Sequence, residues 1–127
     1  MRKNLILELV FAASILASAF MLVAEAVPMV VGDWQGSIET GHGSLKVVIH
    51  IATGKEDTFT GTLDSPDQGA TGIPINVIHY KQPELHFEIE RLGCSYDGKI
   101  DSDGSQIDGL FKQSGGSASL SFQRVNN

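Results

Sequence analysis

Cys94 is the single cysteine of this chain, so no disulfide can form within it. A small domain without that staple must be held by its hydrophobic core. Nothing basic but Arg91 lies near Cys94 in sequence to lower its thiol pKa, so it reads as a small buried hydrophobe. Basic residues are also scarce. Nine Lys and Arg stand against 15 Asp and Glu, a formal charge of −6. That balance leaves no electrostatic footprint for nucleic acid and no polybasic patch for an anionic membrane. Helical periodicity is missing from Val30 onward. Gly-x-Ser-x-Gly is absent, so no nucleophile elbow is present. Gly41-His-Gly-Ser44 is not one, because no helical pattern follows it. About a hundred residues leave no α/β frame to position a triad. The four histidines, His42, His50, His79 and His86, show neither His-x-His nor His-x-x-x-His spacing. They read as solvated or singly hydrogen-bonded side chains. No catalytic residue, metal ligand or cofactor-binding motif is assigned.

What is present begins with an export signal over residues 1–26. Arg2 and Lys3 form a basic start, Leu9 to Ala24 is almost wholly apolar, and Ala24-Glu25-Ala26 fits the small-x-small cleavage rule. The mature domain is expected over residues 27–127, in the periplasm or secreted. Its charge stays at −6, since Arg2 and Lys3 leave together with Glu8 and Glu25. The rival is a retained membrane anchor. Glu8 and the earlier Ala17-Ser18-Ala19 site argue against simple cleavage, while the apolar run is short for a span of about 20 residues. Leu92-Gly93-Cys94 is not a lipoprotein box, because no apolar leader precedes it.

Beyond the signal, period-two alternation dominates. Trp34, Gly36 and Ile38 share one face. Leu45 to Ile51, Phe59 to Leu63, Ile75 to Tyr80, Leu85 to Ile89, Cys94 to Ile100, Ile107 to Phe111 and Ala118 to Phe122 repeat the pattern. Short turns separate them, among them Asp103-Gly104. About eight strands result, and closure into an up-and-down antiparallel barrel removes the unpaired edges. A two-sheet sandwich is the alternative. The expected interior comprises Trp34, Ile38, Val47, Ile49, Phe59, Leu63 and Val77. Leu85, Phe87, Tyr96, Ile107, Phe111, Leu120 and Phe122 complete it. Gly36, Gly61, Gly98 and Gly109 suit the bends of a tightly curved sheet.

Two loops carry candidate chemistry. Asp101-x-Asp103-Gly104-x-x-x-Asp108 has carboxylates spaced as in a cation loop, but lacks the third loop carboxylate before the Gly, the distal Glu and flanking helices of a calcium hand. Hairpin chemistry explains the same residues. Leu63-Asp-Ser-Pro-Asp-Gln-Gly-Ala-Thr-Gly-Ile-Pro74 reads as the longest connection in the chain. It is either an ordered crossover at one barrel end or a recognition loop, with Asp64, Ser65, Asp67 and Gln68 as candidate binding residues.

Gly32-x-Trp34-x-Gly36 in the first strand with Arg124 in the last resembles the lipocalin and avidin-like barrels. That resemblance implies that Arg124 packs over Trp34 and closes one end. Gly32-Asp-Trp-Gln-Gly36, the 63–74 string, Gly93-x-Ser-Tyr-x-Gly98 and Asp103-Gly-x-x-Ile-x-Gly109 together resemble a small β-domain. It is the one found upstream of secreted bacterial α/β-hydrolases and β-lactamase-like serine hydrolases. The resemblance spans the mature chain. It implies a non-catalytic accessory module, stand-alone or truncated, whose partner is a hydrolase or another envelope protein. A lipocalin-like carrier of a small apolar ligand is the alternative. Interior volume separates them: a filled core favours the module, and an apolar pocket of about 300 Å³ or more favours the carrier.

Overall fold

The computed structural model describes residues 27–126, so the signal assigned to residues 1–26 lies outside the described part. Nine antiparallel strands make one sheet: β1 (Gly32–Thr40), β2 (Gly43–Thr53), β3 (Phe59–Ser65), β4 (Ala70–Pro74), β5 (Val77–Lys81), β6 (Glu84–Ile89), β7 (Cys94–Ile100), β8 (Gln106–Gln113) and β9 (Gly116–Arg124). Their spatial order is β4-β3-β2-β1-β9-β8-β7-β6-β5. The two outermost strands, β4 and β5, are consecutive in the chain. At the junction the Ile75 N–H donates to the Gly61 carbonyl of β3 at 3.0 Å. The next N–H, of Asn76, donates to the Glu88 carbonyl of β6 at 2.9 Å. One long strand therefore pairs with β3 through its first half and with β6 through its second. This corner curls the sheet into an up-and-down barrel in which strand 70–81, broken in the middle, joins the two ends, while among the described residues no ladder pairs β3 with β5.

The break changes which residues face inward. Ile75 is buried, and the alternation then slips, so that Ile78 and Tyr80 pack on the core opposite Phe87 and Leu85. Val77 and His79 point outward. The expected interior position of Val77 is thus corrected, and Ile78 takes its place. The stretch 63–74 is also not a long loop. β3 runs to Ser65, one 3-10 turn covers Pro66–Gln68, and Ala70–Pro74 is strand paired with β3. A bulge between Leu63 and Ser65 hides this pairing from the alternation pattern.

The core is aromatic at its centre. Trp34, Phe87, Tyr96 and Phe122 are fully buried. Phe87 stacks on Tyr96 at 5.1 Å, and Phe122 meets Tyr96 edge-on at 5.2 Å. The Tyr96 hydroxyl donates to the Leu120 carbonyl at 2.8 Å, which satisfies the one polar atom of a buried ring. Tyr96 lies across Gly98 and Gly109, which face each other on β7 and β8. A Cβ on Gly109 would sit 2.2 Å from the Asp97 carbonyl oxygen and 2.7 Å from the Tyr96 hydroxyl. Glycine there is what lets the two strands and the ring approach so closely. Cys94 is buried, and burial pushes its thiol pKa up.

One end of the barrel is plugged. Trp34 and Arg124 are directly opposite on β1 and β9, the first and last strands. The Arg124 guanidinium lies 4.3 Å from the Trp34 ring centroid. It also donates to the carbonyls of Gly104 at 2.9 Å and Val31 at 2.8 Å, and to that of Met29. The indole N–H of Trp34 donates to the Val30 carbonyl at 2.9 Å. A Cβ on Gly32 would meet Arg124 at 2.5 Å, so the first glycine of the Gly-x-Trp leaves the space the guanidinium fills.

Candidate functional site

The opposite end is open. β1 and β2 meet there, β3 turns into β4, and β8 turns into β9. The inward alternation of each strand continues past the packed core and leaves Ile38, Leu45, Val47, Leu63, Leu92 and Phe111 around a hollow of about 230 Å³. Its remaining lining is polar and uncharged: Thr40, Ser65, Gln68 and Gln113. The hollow is small because the aromatic core fills the barrel below it. It falls short of the roughly 300 Å³ set above for a carrier, so by volume it suits a side chain or a guest of that size rather than a drug-sized ligand.

The four candidate residues at the β3–β4 connection sort into two pairs. Asp64 and Asp67 face away from the hollow and fasten the connection to the barrel. Asp64 accepts the Gly72 N–H at 2.7 Å and holds His50 at 2.8 Å. Asp67 accepts the Lys46 N–H of β2 at 2.9 Å. The Gly72 N–H, and after it His50, hold the Asp64 carboxyl below its ordinary pKa. Ser65 and Gln68 face the hollow. Ser65 is buried, and its hydroxyl donates to the Gln68 carboxamide oxygen at 2.9 Å. The turn between them starts with Pro66 and ends at Gly69, whose φ of 67° is the left-handed stop of a short helical turn.

Two histidines on the outer wall, expected to be solvated or singly hydrogen-bonded, each have two side-chain partners. His50 of β2 lies 2.8 Å from Asp33 of β1 and 2.8 Å from Asp64 of β3. His86 of β6 lies 2.7 Å from Asp97 of β7 and 2.8 Å from Glu88 of its own strand. Each ring has both nitrogens on carboxylates, which accept, an arrangement that favours the protonated ring. The hydrogen bonds to Asp64 and then Asp33 raise the pKa of His50, and the one to Glu88 leads in raising that of His86. His79 stacks on His86 across the β5–β6 pair, with ring centroids 6.3 Å apart. A broad groove of about 690 Å³ runs over this wall past His79, His86, Lys81, Lys99, Asp97 and Asp108. It is an open face of mixed charge rather than an enclosed site.

The Asp101–Asp108 loop is hairpin chemistry. Asp101 and Asp103 accept from Ser105, and Asp108 accepts from Ser121 at 2.6 Å and Gln106 at 2.7 Å. Among the described residues no group of three His, Cys, Asp or Glu side chains is placed to hold a metal ion. No described helix is long and apolar enough to cross a membrane.

No family model and no curated protein sequence matches the chain. Among solved structures, the crystal structure of a mutant of the fluorescent protein UnaG is similar at 12% identity and a TM-score of 0.46. The similarity covers 76% of this chain and 96% of that one.

Proposed function

We propose that this protein is an exported, non-catalytic barrel that binds a small apolar guest in its open mouth. The observation that carries the reading is the asymmetry of the two ends. Arg124 and Trp34 seal one, while at the other Ile38, Leu45 and Phe111 stand partly exposed around an uncovered hollow. Apolar surface kept open at the end of an otherwise filled barrel suits a guest that covers it. The non-catalytic reading is supported by the hydrogen bonding. Ser65 donates to an amide rather than to a base, and His50 and His86 are held by carboxylates on the outer wall. Guest binding would shift the methyl resonances of Ile38, Leu45 and Val47. Leu45→Trp, which fills the mouth, would abolish the shifts at Ile38 and Val47 without lowering the melting temperature. Shifts unaffected by Leu45→Trp would remove the mouth from the reading.

The second reading is an accessory module whose mouth takes one side chain of a hydrolase or other envelope partner. It is favoured by the size of the hollow, nearer to a side chain than to a drug-sized ligand, and by the 3-10 turn Pro66–Gln68 at its rim. Deleting residues 66–71 would cut into β4, so Asp67→Ala with Gln68→Ala is the sharper test. Loss of capture of a purified hydrolase partner by this pair, with the barrel still folded, would support the module. Unchanged capture would refute a role for the turn.

A further inference from the structure

The chemistry of the mouth restricts what it can hold. Among the described residues no Lys, Arg, Asp, Glu or His side chain lines it. The nearest charged residues of the β3–β4 connection, Asp64 and Asp67, point away and are bound to Gly72, His50 and Lys46. An ionised guest would lose its hydration with no opposite charge to replace it, which is unfavourable. Polar capacity is limited in the same way. The Thr40 hydroxyl donates to the Gly43 carbonyl and accepts from the His42 N–H. The Gln113 amide donates to the Leu92 carbonyl. Ser65 gives its proton to the Gln68 oxygen, so the donor which that amide retains is its NH₂. Size is the third limit. An apolar cavity of about 150 Å³ takes benzene, so one of about 230 Å³ takes on the order of ten non-hydrogen atoms.

We infer that the mouth selects an uncharged, mainly apolar molecule of on the order of ten non-hydrogen atoms that carries one hydrogen-bond acceptor, such as a ketone, ester or amide carbonyl. Gln68 is the residue that reads the acceptor, and Ser65 positions it. This rests on the mouth being the binding site, and it names the class of guest.

Three probes of matched size test it by titration calorimetry and by methyl shifts at Ile38, Leu45 and Val47: acetophenone, α-methylstyrene and benzoate. α-Methylstyrene replaces the carbonyl by a methylene, and benzoate adds a charge. Acetophenone is expected to bind about tenfold more tightly than α-methylstyrene, as one hydrogen bond of ordinary strength allows. Benzoate is expected to bind weakest. Gln68→Leu, a change at an exposed turn, should erase the difference between the first two probes. Ser65→Ala should shrink it by freeing the amide to turn. If α-methylstyrene binds the mouth as well as acetophenone, or benzoate binds best, the inferred class is wrong while the mouth remains a site. If no probe moves the mouth methyls, the mouth itself is not the site, and both readings fall.

Discussion

At the scale of single residues, ion pairs and buried contacts set different kinds of dependence. His50 and His86 have folded pKa values above the ordinary 6.5, each through two carboxylates. A histidine with a raised folded value binds its proton more tightly in the native state. Its contribution to stability is therefore full below about pH 6.5 and is lost as the pH rises through the raised value. The carboxylates work in the opposite sense. Asp64 and Asp108 are lowered below 3.8, chiefly by the Gly72 N–H and by Ser121, so their contribution is lost as the pH falls through those depressed values. The melting temperature should be highest between these limits and decline as the pH rises past about 6.5. His50→Gln with His86→Gln should flatten the alkaline decline, and an unchanged slope would remove both imidazoliums from the account. Arg124→Ala tests the plugged end. It removes a cation–π contact of about 0.5–2 kcal/mol and charge-assisted hydrogen bonds to backbone carbonyls at the plugged end. A loss of about 2–4 kcal/mol is expected by denaturant unfolding, and a midpoint within error of the wild type would refute the plug.

At the scale of elements, the sequence was most informative where alternation was unbroken and least where backbone geometry intervened. Trp34 to Ile38, Leu85 to Ile89 and Ile107 to Phe111 read as strands with the correct inward face, because period-two burial is a property of side chains. The 63–74 stretch misled because a bulge between Leu63 and Ser65 interrupts its alternation and its composition imitates a loop. Its Pro and Gly residues resemble loop punctuation, yet Pro66 starts one 3-10 turn, Gly69 stops it, and Pro74 ends β4. The slip between Ile75 and Ile78 comes from a change of hydrogen-bonding partner, which no side-chain pattern records. The histidine clusters were hidden for a related reason. His50 meets Asp33 and Asp64 only once the β1–β2 and β2–β3 registers are fixed. The mouth was partly legible: the four residues Asp64, Ser65, Asp67 and Gln68 were adjacent in sequence, but only their facing separates anchors from lining. As an anchor, Asp67 can be removed without loss of the core. Asp67→Ala should leave the barrel folded and speed amide exchange at Lys46, whose N–H loses its acceptor. Gly109→Ala should cost about 3 kcal/mol or more, since its Cβ meets backbone that cannot move aside. Retained stability there would mean that β7 and β8 are less closely opposed than described.

At the scale of the molecule, the barrel is held together by closures of unequal strength. β1 joins β9 through a ladder that includes the Trp34–Arg124 pair, backed by the aromatic core. The other closure is the broken strand 70–81. Its two halves pair with different neighbours, and between β3 and β5 no ladder forms. Side chains bridge that interval instead: Phe59 meets Tyr80 edge-on at 5.9 Å, and the space above Gly61 is taken by Ile75 and Ile78. Side-chain contact excludes water less completely than a hydrogen-bonded ladder, and Phe59, Ile78 and Tyr80 are only partly buried. Local opening should therefore start along this seam. Native-state hydrogen exchange should show β1, β2, β8 and β9 exchanging only through global unfolding. The amides of β4 and β5 should exchange through a smaller opening, lower by about 1–2 kcal/mol. Joining the seam with a cysteine pair at Phe59 and Tyr80, in a background where Cys94→Ala removes the native thiol, should raise the protection of β4 and β5 toward that of β1. Equal protection of all strands before the cross-link would mean that the corner at Ile75–Asn76 closes the barrel as firmly as the β1–β9 ladder.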